Sequence, residues 1–96
     1  MSKVENQGGK VNYYVVDIVL PTDPMRGAYE AECNDIIEAL GMTFPEGEAF
    51  KAIWRKAAQR TLGVGKEGNT ALRDAEKAEF YAVRMSLIEK QLRAQQ

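Results

Sequence analysis

The chain has 96 residues, of which 45% are hydrophobic and 28% charged, and its net charge is −1. This composition is typical of one globular domain that buries roughly 60–65% of its unfolded surface, and it excludes wholesale disorder. A single cysteine, Cys33, and the lack of histidine exclude an internal disulfide, ordinary zinc sites and His-dependent catalytic triads. Since no apolar run approaches about 18 residues and the amino terminus lacks a signal-peptide pattern, we expect a cytoplasmic protein without a membrane segment.

The charges are distributed unevenly along the chain. Residues 1–26 are balanced, residues 27–50 carry six acids and no bases, and residues 51–96 carry ten bases against five acids. This distribution favours helix pairing within the chain, or a bipolar site, over a nucleic-acid surface, which would need a net basic face.

The amino-terminal part of the chain contains one predicted strand. Residues 1–10 are polar and contain glycine, which predicts a flexible arm ahead of a single helical domain over 11–96. Residues 11–20 are dense in β-branched and aromatic side chains and are followed by Pro21 and Pro24, which predicts a strand. Because no second strand is evident in the sequence, we expect it to pair across a subunit interface or to lie as an extended arm on the helices. A short hairpin with the arm is the alternative.

Three helices are predicted after the strand, so the fold class is mainly α: a three-helix domain with one N-terminal strand or extended arm. The first helix runs from about Gly27 to Leu40, the second starts near Pro45, and the third runs from about Thr70 into the 90s. Apolar stripes at helical spacing predict the core faces of the first two helices. These stripes are Tyr29, Cys33, Ile36, Ile37 and Leu40 in the first helix, and Phe50, Ile53, Trp54, Ala57 and Thr61 in the second.

The third helix has two apolar sectors separated by a basic strip. The sectors are Leu72, Phe80, Val83 and Leu87 on one side and Tyr81, Met85, Ile88 and Leu92 on the other, with Arg73, Lys77 and Arg84 between them. A small core cannot easily use both sectors, so we expect one to pack within the subunit and the other to form an oligomer contact. The strip is then available to phosphate; the alternative is that its cations only snorkel over the helix surface.

Two pairs of charged residues are candidates for a functional site. Glu32 and Asp35 lie three positions apart beside the first stripe, where they could share a Mg²⁺ ion or its waters. Lys51 and Arg55 lie one turn apart beside the second stripe and suit phosphate oxygens. The alternative for both pairs is ordinary solvated surface charge.

The glycine-rich segment 63–69 contains Gly65-Lys66-Glu67, which invites comparison with a nucleotide-binding P-loop. A P-loop follows a strand and carries Ser or Thr after its lysine, whereas this segment follows a predicted helix and has Glu67 at that position. The segment is therefore predicted to be a flexible connector.

Three motifs follow one another over about residues 29–88. They are Tyr29…Glu32-Cys33-x-Asp35-Ile36-Ile37-Glu38, Gly47-x-x-Phe50-Lys51-x-x-Trp54-Arg55, and Gly68…Asp74-Ala75-Glu76-Lys77-Ala78-x-Phe80-Tyr81. In this order and spacing they resemble a family of small phage-encoded proteins that includes a nucleotide kinase, which acts on deoxynucleoside monophosphates without a P-loop.

The resemblance implies phosphoryl transfer from ATP to a deoxynucleoside monophosphate in the cytoplasm of the host cell, a reaction that depends on positioning and on neutralising charge. It assigns the phosphate contacts to Lys51, Arg55, Lys77 and Arg84, and the Mg²⁺ contacts to Glu32 and Asp35. Because two nucleotides are difficult to accommodate within one subunit of 96 residues, a homo-oligomer is also expected.

Two other functions stay open. A non-catalytic phage accessory or counter-defence factor would bind a host protein or a nucleotide signal, and the small size and surplus apolar face of this chain suit it. An all-α nucleotide pyrophosphohydrolase would hold Mg²⁺ on pairs of acids from neighbouring helices. Glu32 and Asp35 approximate one such pair, but the third helix supplies no clean second pair.

Overall fold

Three helices and a two-stranded antiparallel sheet make up the parts of the chain that the computed structural model describes, residues 12–64 and 68–96. In chain order the elements are β1 (Val15–Ile18), β2 (Tyr29–Glu32), α1 (Cys33–Ala39), α2 (Phe44–Leu62) and α3 (Ala71–Ala94). The mainly helical class predicted from the sequence is confirmed. The predicted arm over residues 1–10 lies outside the described residues.

The predicted strand finds its partner within the chain. β1 pairs with β2 so that Val15 lies opposite Glu32 and Ile18 lies opposite Tyr29. The prediction of a single strand is therefore wrong, as is the prediction that the first helix begins near Gly27, since residues 29–32 form β2 and the helix begins at Cys33. Pairing satisfies backbone N–H and C=O groups that a lone strand would leave unpaired. The stabilisation from these hydrogen bonds exceeds the preference for a helix that the spacing of Tyr29 and Cys33 indicates.

The helix ends follow local signals that the sequence contains. At the start of α2 the Glu46 side chain accepts a hydrogen bond of 2.8 Å from the Thr43 N–H, and α2 ends at Gly63 with φ of 69°, a conformation that favours glycine. At the start of α3 the Thr70 hydroxyl accepts a hydrogen bond of 3.0 Å from the Arg73 N–H. The predicted positions of the second and third helices are thereby confirmed.

Helices α2 and α3 pack antiparallel. The Phe44 ring at the start of α2 meets Tyr81 in α3 edge-on at 5.7 Å between centroids, and Gln59 near the end of α2 hydrogen-bonds the Asn69 carbonyl just before α3. The buried positions of α2 are small: Gly47, Ala49, Ala52 and Ala58. Gly47 faces Ile37 of α1, so the small buried residues do not all lie at the contact with α3.

The predicted core stripe of α2 is only partly buried, and this prediction needs correction. Phe50 and Trp54 are half-buried, whereas Ile53 is 59% exposed. The stripe lines an open apolar groove of about 350 Å³ beside Val16 of β1. The small residues Ala49, Ala52 and Ala58, rather than the larger side chains, are the most deeply buried in α2.

In α3 the two apolar sectors differ in burial. In one sector Tyr81 and Met85 are half-buried, whereas Ile88 and Leu92 near its end are exposed. All four residues of the other sector are exposed: Leu72, Phe80, Val83 and Leu87. Among the described residues, none of the helices combines the length and apolarity needed to cross a bilayer.

Candidate anion-binding site

A buried ion pair joins the two long helices. Asp74 in the first turn of α3 is only 1% exposed, and its Oδ1 lies 3.1 Å from both Nε and Nη2 of Arg55 in α2. Its Oδ2 accepts a hydrogen bond of 2.6 Å from Nδ2 of Asn69. A buried carboxylate is tolerated only when its charge and lone pairs are satisfied, and these contacts satisfy both oxygens.

The guanidinium of Arg55 also reaches the amino-terminal part of the chain. Its Nη1 donates a hydrogen bond of 2.9 Å to the Tyr14 hydroxyl. Burial lowers the pKa of Arg55, but the hydrogen bonds and charges of Tyr14 and Asp74 outweigh burial and raise it, so the group stays charged. Hydrogen bonds to Asp74 and Tyr14 use two of the five guanidinium N–H donors, and Nη2 lies at ion-pair distance from the same Asp74 oxygen, so at most three donors are left for a ligand.

The two predicted phosphate-binding residues of α2 differ in burial. The sequence places Lys51 and Arg55 together on the margin of a helix stripe, yet the Arg55 side chain is 11% exposed and that of Lys51 is 39% exposed. Arg55 belongs to the packed network between helices, whereas Lys51 extends towards solvent.

A polar pocket of about 570 Å³ lies over this ion pair. Its lining consists of Tyr13, Tyr14, Lys51, Arg55, Gly68, Asn69, Arg73 and Lys77. The volume falls within the range of about 300–1,000 Å³ that is usual for small-molecule sites. Residues 65–67, which include Lys66, lie outside the described residues.

Antiparallel packing explains which cations meet in the pocket. Lys51 and Arg55 are one turn apart on α2, and Arg73 and Lys77 are one turn apart on the facing side of α3. Arg84 lies seven positions beyond Lys77, about 10 Å further along the helix axis. It lines a different surface depression, with Leu87, Ile88, Gln91 and Leu92. Three of the four predicted phosphate-binding residues therefore share a pocket, and Arg84 does not join them.

One further carboxylate lies beside the pocket. Glu48 of α2 has Oε2 at 3.5 Å from Nζ of Lys51 and Oε1 at 4.0 Å from Nζ of Lys77. The four cations of the pocket thus face two carboxylates, those of Glu48 and Asp74, and a surplus of two positive charges results. A pocket of this charge attracts anions.

Two tyrosines close the other side of the pocket. The rings of Tyr13 and Tyr14 lie 4.6 Å apart between centroids, and Nε1 of Trp54 donates a hydrogen bond of 2.8 Å to the Tyr13 carbonyl. Burial, and then the neighbouring Tyr14 phenol, raise the pKa of Tyr13. Its hydroxyl, like that of any tyrosine with a pKa of about 10 or above, is neutral near pH 7. Neither tyrosine was predicted from the sequence to be a site residue.

The two predicted metal ligands lie on different elements. Glu32 is the half-buried last residue of β2, whereas Asp35 is exposed in the first turn of α1. The expectation that both acids share one helix edge is therefore wrong. Within residues 12–64 and 68–96, no group of three or more His, Cys, Asp or Glu side chains could hold a metal ion.

Comparisons with known proteins add no relative to this description. No protein-family model matches the chain, and searches of the curated proteins and of the solved structures found no significant similarity. The resemblance to phage nucleotide kinases consequently rests on the three sequence motifs alone.

Proposed function

We propose that this protein binds a phosphorylated small molecule, with nucleotides as the leading class, in the pocket between α2 and α3. The observation that carries the proposal is the convergence of Lys51, Arg73 and Lys77 on one polar pocket above the buried Arg55–Asp74 pair. Phosphate oxygens accept charge-assisted hydrogen bonds from lysine and arginine, and these bonds are roughly twice as strong as neutral ones. The surplus of positive charge in the pocket supports the same class of ligand.

The resemblance extends this proposal to catalysis. In that extension ATP donates a phosphoryl group to a deoxynucleoside monophosphate, and Mg²⁺ is held through Glu32 and Asp35. A pocket of about 570 Å³ suits one nucleotide rather than two. The kinase proposal therefore includes a homo-oligomer in which another site holds the second nucleotide.

A second candidate is a non-catalytic phage accessory or counter-defence factor in the host cytoplasm. It would use the same pocket for a nucleotide signal, or it would bind a host protein. The exposed apolar sector of α3, which includes Phe80 and Leu87, favours this candidate because such a surface is suited to protein contact. A pyrophosphohydrolase ranks third, since it depends on Glu32 and Asp35 alone.

Calorimetric titration with ATP, with each deoxynucleoside monophosphate and with pyrophosphate tests the binding site. We expect Lys51→Ala and Lys77→Ala each to weaken binding by roughly 10- to 150-fold, because a hydrogen bond to a charged group contributes about 1.5–3 kcal/mol. Lys56→Ala and Arg84→Ala are matched controls, since neither residue lines the pocket. Equal, small effects of all four substitutions would contradict a phosphate site here.

A product assay separates the three functions. The protein is incubated with ATP, Mg²⁺ and each deoxynucleoside monophosphate, and also with each triphosphate alone. Formation of a diphosphate supports the kinase, and release of monophosphate with pyrophosphate supports the hydrolase. Tight binding without any product supports the accessory factor.

A further inference from the structure

Glu48 forms a bridge between the two lysines of the pocket. Its two carboxylate oxygens face different helices, with Oε2 towards Lys51 on α2 and Oε1 towards Lys77 on α3. The Glu48 side chain is 18% exposed, so its charge is held against the pocket rather than in bulk solvent. No step of the proposed binding function uses this carboxylate.

The bridge is loose compared with the ion pair beneath it. Charge-assisted N–H···O bonds are usually about 2.7–2.9 Å long, whereas Glu48 lies 3.5 Å from Lys51 and 4.0 Å from Lys77. Both lysine side chains are also more than a third exposed, so solvent competes with the carboxylate. A ligand phosphate can therefore take over the two ammonium groups, but it must then lie close to the Glu48 charge.

We propose that Glu48 is an internal counterion that tunes the pocket towards lightly charged phosphates and against polyphosphates. This inference rests on the proposed function, because it assumes that anions occupy the pocket. Glu48 reduces the positive surplus of the site from three charges to two. The repulsion between a carboxylate and an anion grows with the charge of the anion, so Glu48 penalises a triphosphate chain more than a phosphate monoester dianion.

The test compares two probes of different charge on matched variants. The probes are phenyl phosphate, which is a dianion at pH 8, and inorganic tripolyphosphate. Glu48→Gln removes the charge with little change in shape, and Glu48→Asp keeps it. Glu89→Gln is the control, because it removes one carboxylate charge at a site remote from the pocket. Glu89 lies about 18 Å from Lys77 along α3, and this distance exceeds the Debye length of about 8 Å at 0.15 M salt.

Glu48→Gln is expected to raise affinity roughly two- to threefold for each negative charge of the probe. Tripolyphosphate carries about two more negative charges than phenyl phosphate near pH 8, so the ratio of their affinities should rise about four- to ninefold. Glu48→Asp and Glu89→Gln are expected to keep the wild-type ratio, and 0.5 M NaCl is expected to reduce the effect of Glu48→Gln. Thermal melting of each variant verifies that it is folded, and Glu48→Ala serves as a second charge-removing variant.

Other outcomes overturn the inference. If wild type and Glu48→Gln bind both probes equally well, the carboxylate does not act on the ligand. If Glu48→Gln weakens binding, Glu48 positions the lysines instead of competing for them. If the wild-type protein binds neither probe nor any nucleotide, the proposed function itself fails, and this result is distinct from the first two.

Discussion

Arg55 and Asp74, nineteen positions apart in the sequence, hold the two long helices together through an ion pair of 3.1 Å whose carboxylate is almost completely buried. The same guanidinium hydrogen-bonds Tyr14, and the same carboxylate binds Asn69. Since Tyr14 and Asn69 line the polar pocket, one network supports both the fold and the candidate site.

Removal of either partner of this pair should destabilise the protein strongly. Asp74→Ala leaves the mostly buried Arg55 charge without its carboxylate, and we expect a loss of roughly 3–5 kcal/mol in the free energy of unfolding. Urea unfolding followed by circular dichroism measures this change. Asp35→Asn, on the exposed first turn of α1, is the control and should change stability by less than about 0.5 kcal/mol.

The double variant Arg55→Met/Asp74→Leu distinguishes a buried charge from lost packing. Replacing both charges with apolar groups should recover most of the stability, because no uncompensated charge is left. A double variant as unstable as Asp74→Ala would show that shape, rather than charge, controls this contact.

Two glycines, one inside α2 and one directly after it, should respond in opposite ways to alanine. Gly47 lies inside the helix, and a Cβ there would meet only Ile37 at ordinary contact distances of 3.6 and 4.0 Å. Gly47→Ala should therefore stabilise the protein by about 0.5–1 kcal/mol through helix propensity. Gly63 has φ of 69°, so Gly63→Ala should destabilise the protein by roughly 1 kcal/mol. Thermal melting of both variants checks the signs, and destabilisation by Gly47→Ala would contradict the space found between the Gly47 Cβ position and Ile37.

The parts of the fold that could be predicted from the sequence are those with local signals. Thr70, Pro45 and Gly63 mark helix ends through their own conformational preferences, so α2 and α3 were predictable. The strand Tyr29–Glu32 was not, because its residues also fit a helical period and only its pairing with Val15–Ile18 decides the outcome. Likewise, Ala49, Ala52 and Ala58 carry a weaker hydrophobic signal than Phe50 and Trp54, although they are the more deeply buried residues.

The candidate site was predictable only in part for a similar reason. Lys51 and Lys77 have the residue type and spacing that suit phosphate, and antiparallel packing brings them together. Tyr13 and Asn69 enter the same pocket through tertiary contacts with Trp54 and Asp74, for which the sequence gives no periodic signal. Arg84 shares the helix face of Lys77 but lies two turns further along, a displacement that a helical wheel does not show.

Cys33 provides a probe of the core below the pocket. Its side chain is 1% exposed, and burial raises the pKa of its thiol above the ordinary value near 9, although Lys51 and Arg55 oppose the shift. We expect a thiol reagent at pH 8 to modify the folded protein at least about 100-fold more slowly than the urea-unfolded protein.

The raised pKa of the Cys33 thiol also determines how the stability of the protein changes with pH. In the unfolded chain the Cys33 thiol ionises first as pH rises, so its contribution to stability is complete below about pH 9 and decreases above that value. Cys33→Ala, which cannot ionise, should lose less stability between pH 8 and pH 10 than the wild-type protein does. Equal losses of stability in the two proteins would contradict a raised pKa of the Cys33 thiol in the folded state.

The exposed apolar sector of α3 leads us to expect a dimer or larger oligomer. Leu72, Phe80, Val83 and Leu87 are each about half to two-thirds exposed and lie on one face of the helix. Because β1 has its partner within the chain, assembly should depend on this face rather than on strand pairing between subunits.

Phe80→Glu and Leu87→Glu should shift sedimentation velocity profiles towards the monomer, while Ser86→Glu, an exposed position outside the sector, should not. Circular dichroism should show unchanged helix content in all three variants. A wild-type protein that sediments as a monomer at micromolar concentration would remove the oligomer, and with it the kinase proposal that requires a second nucleotide site.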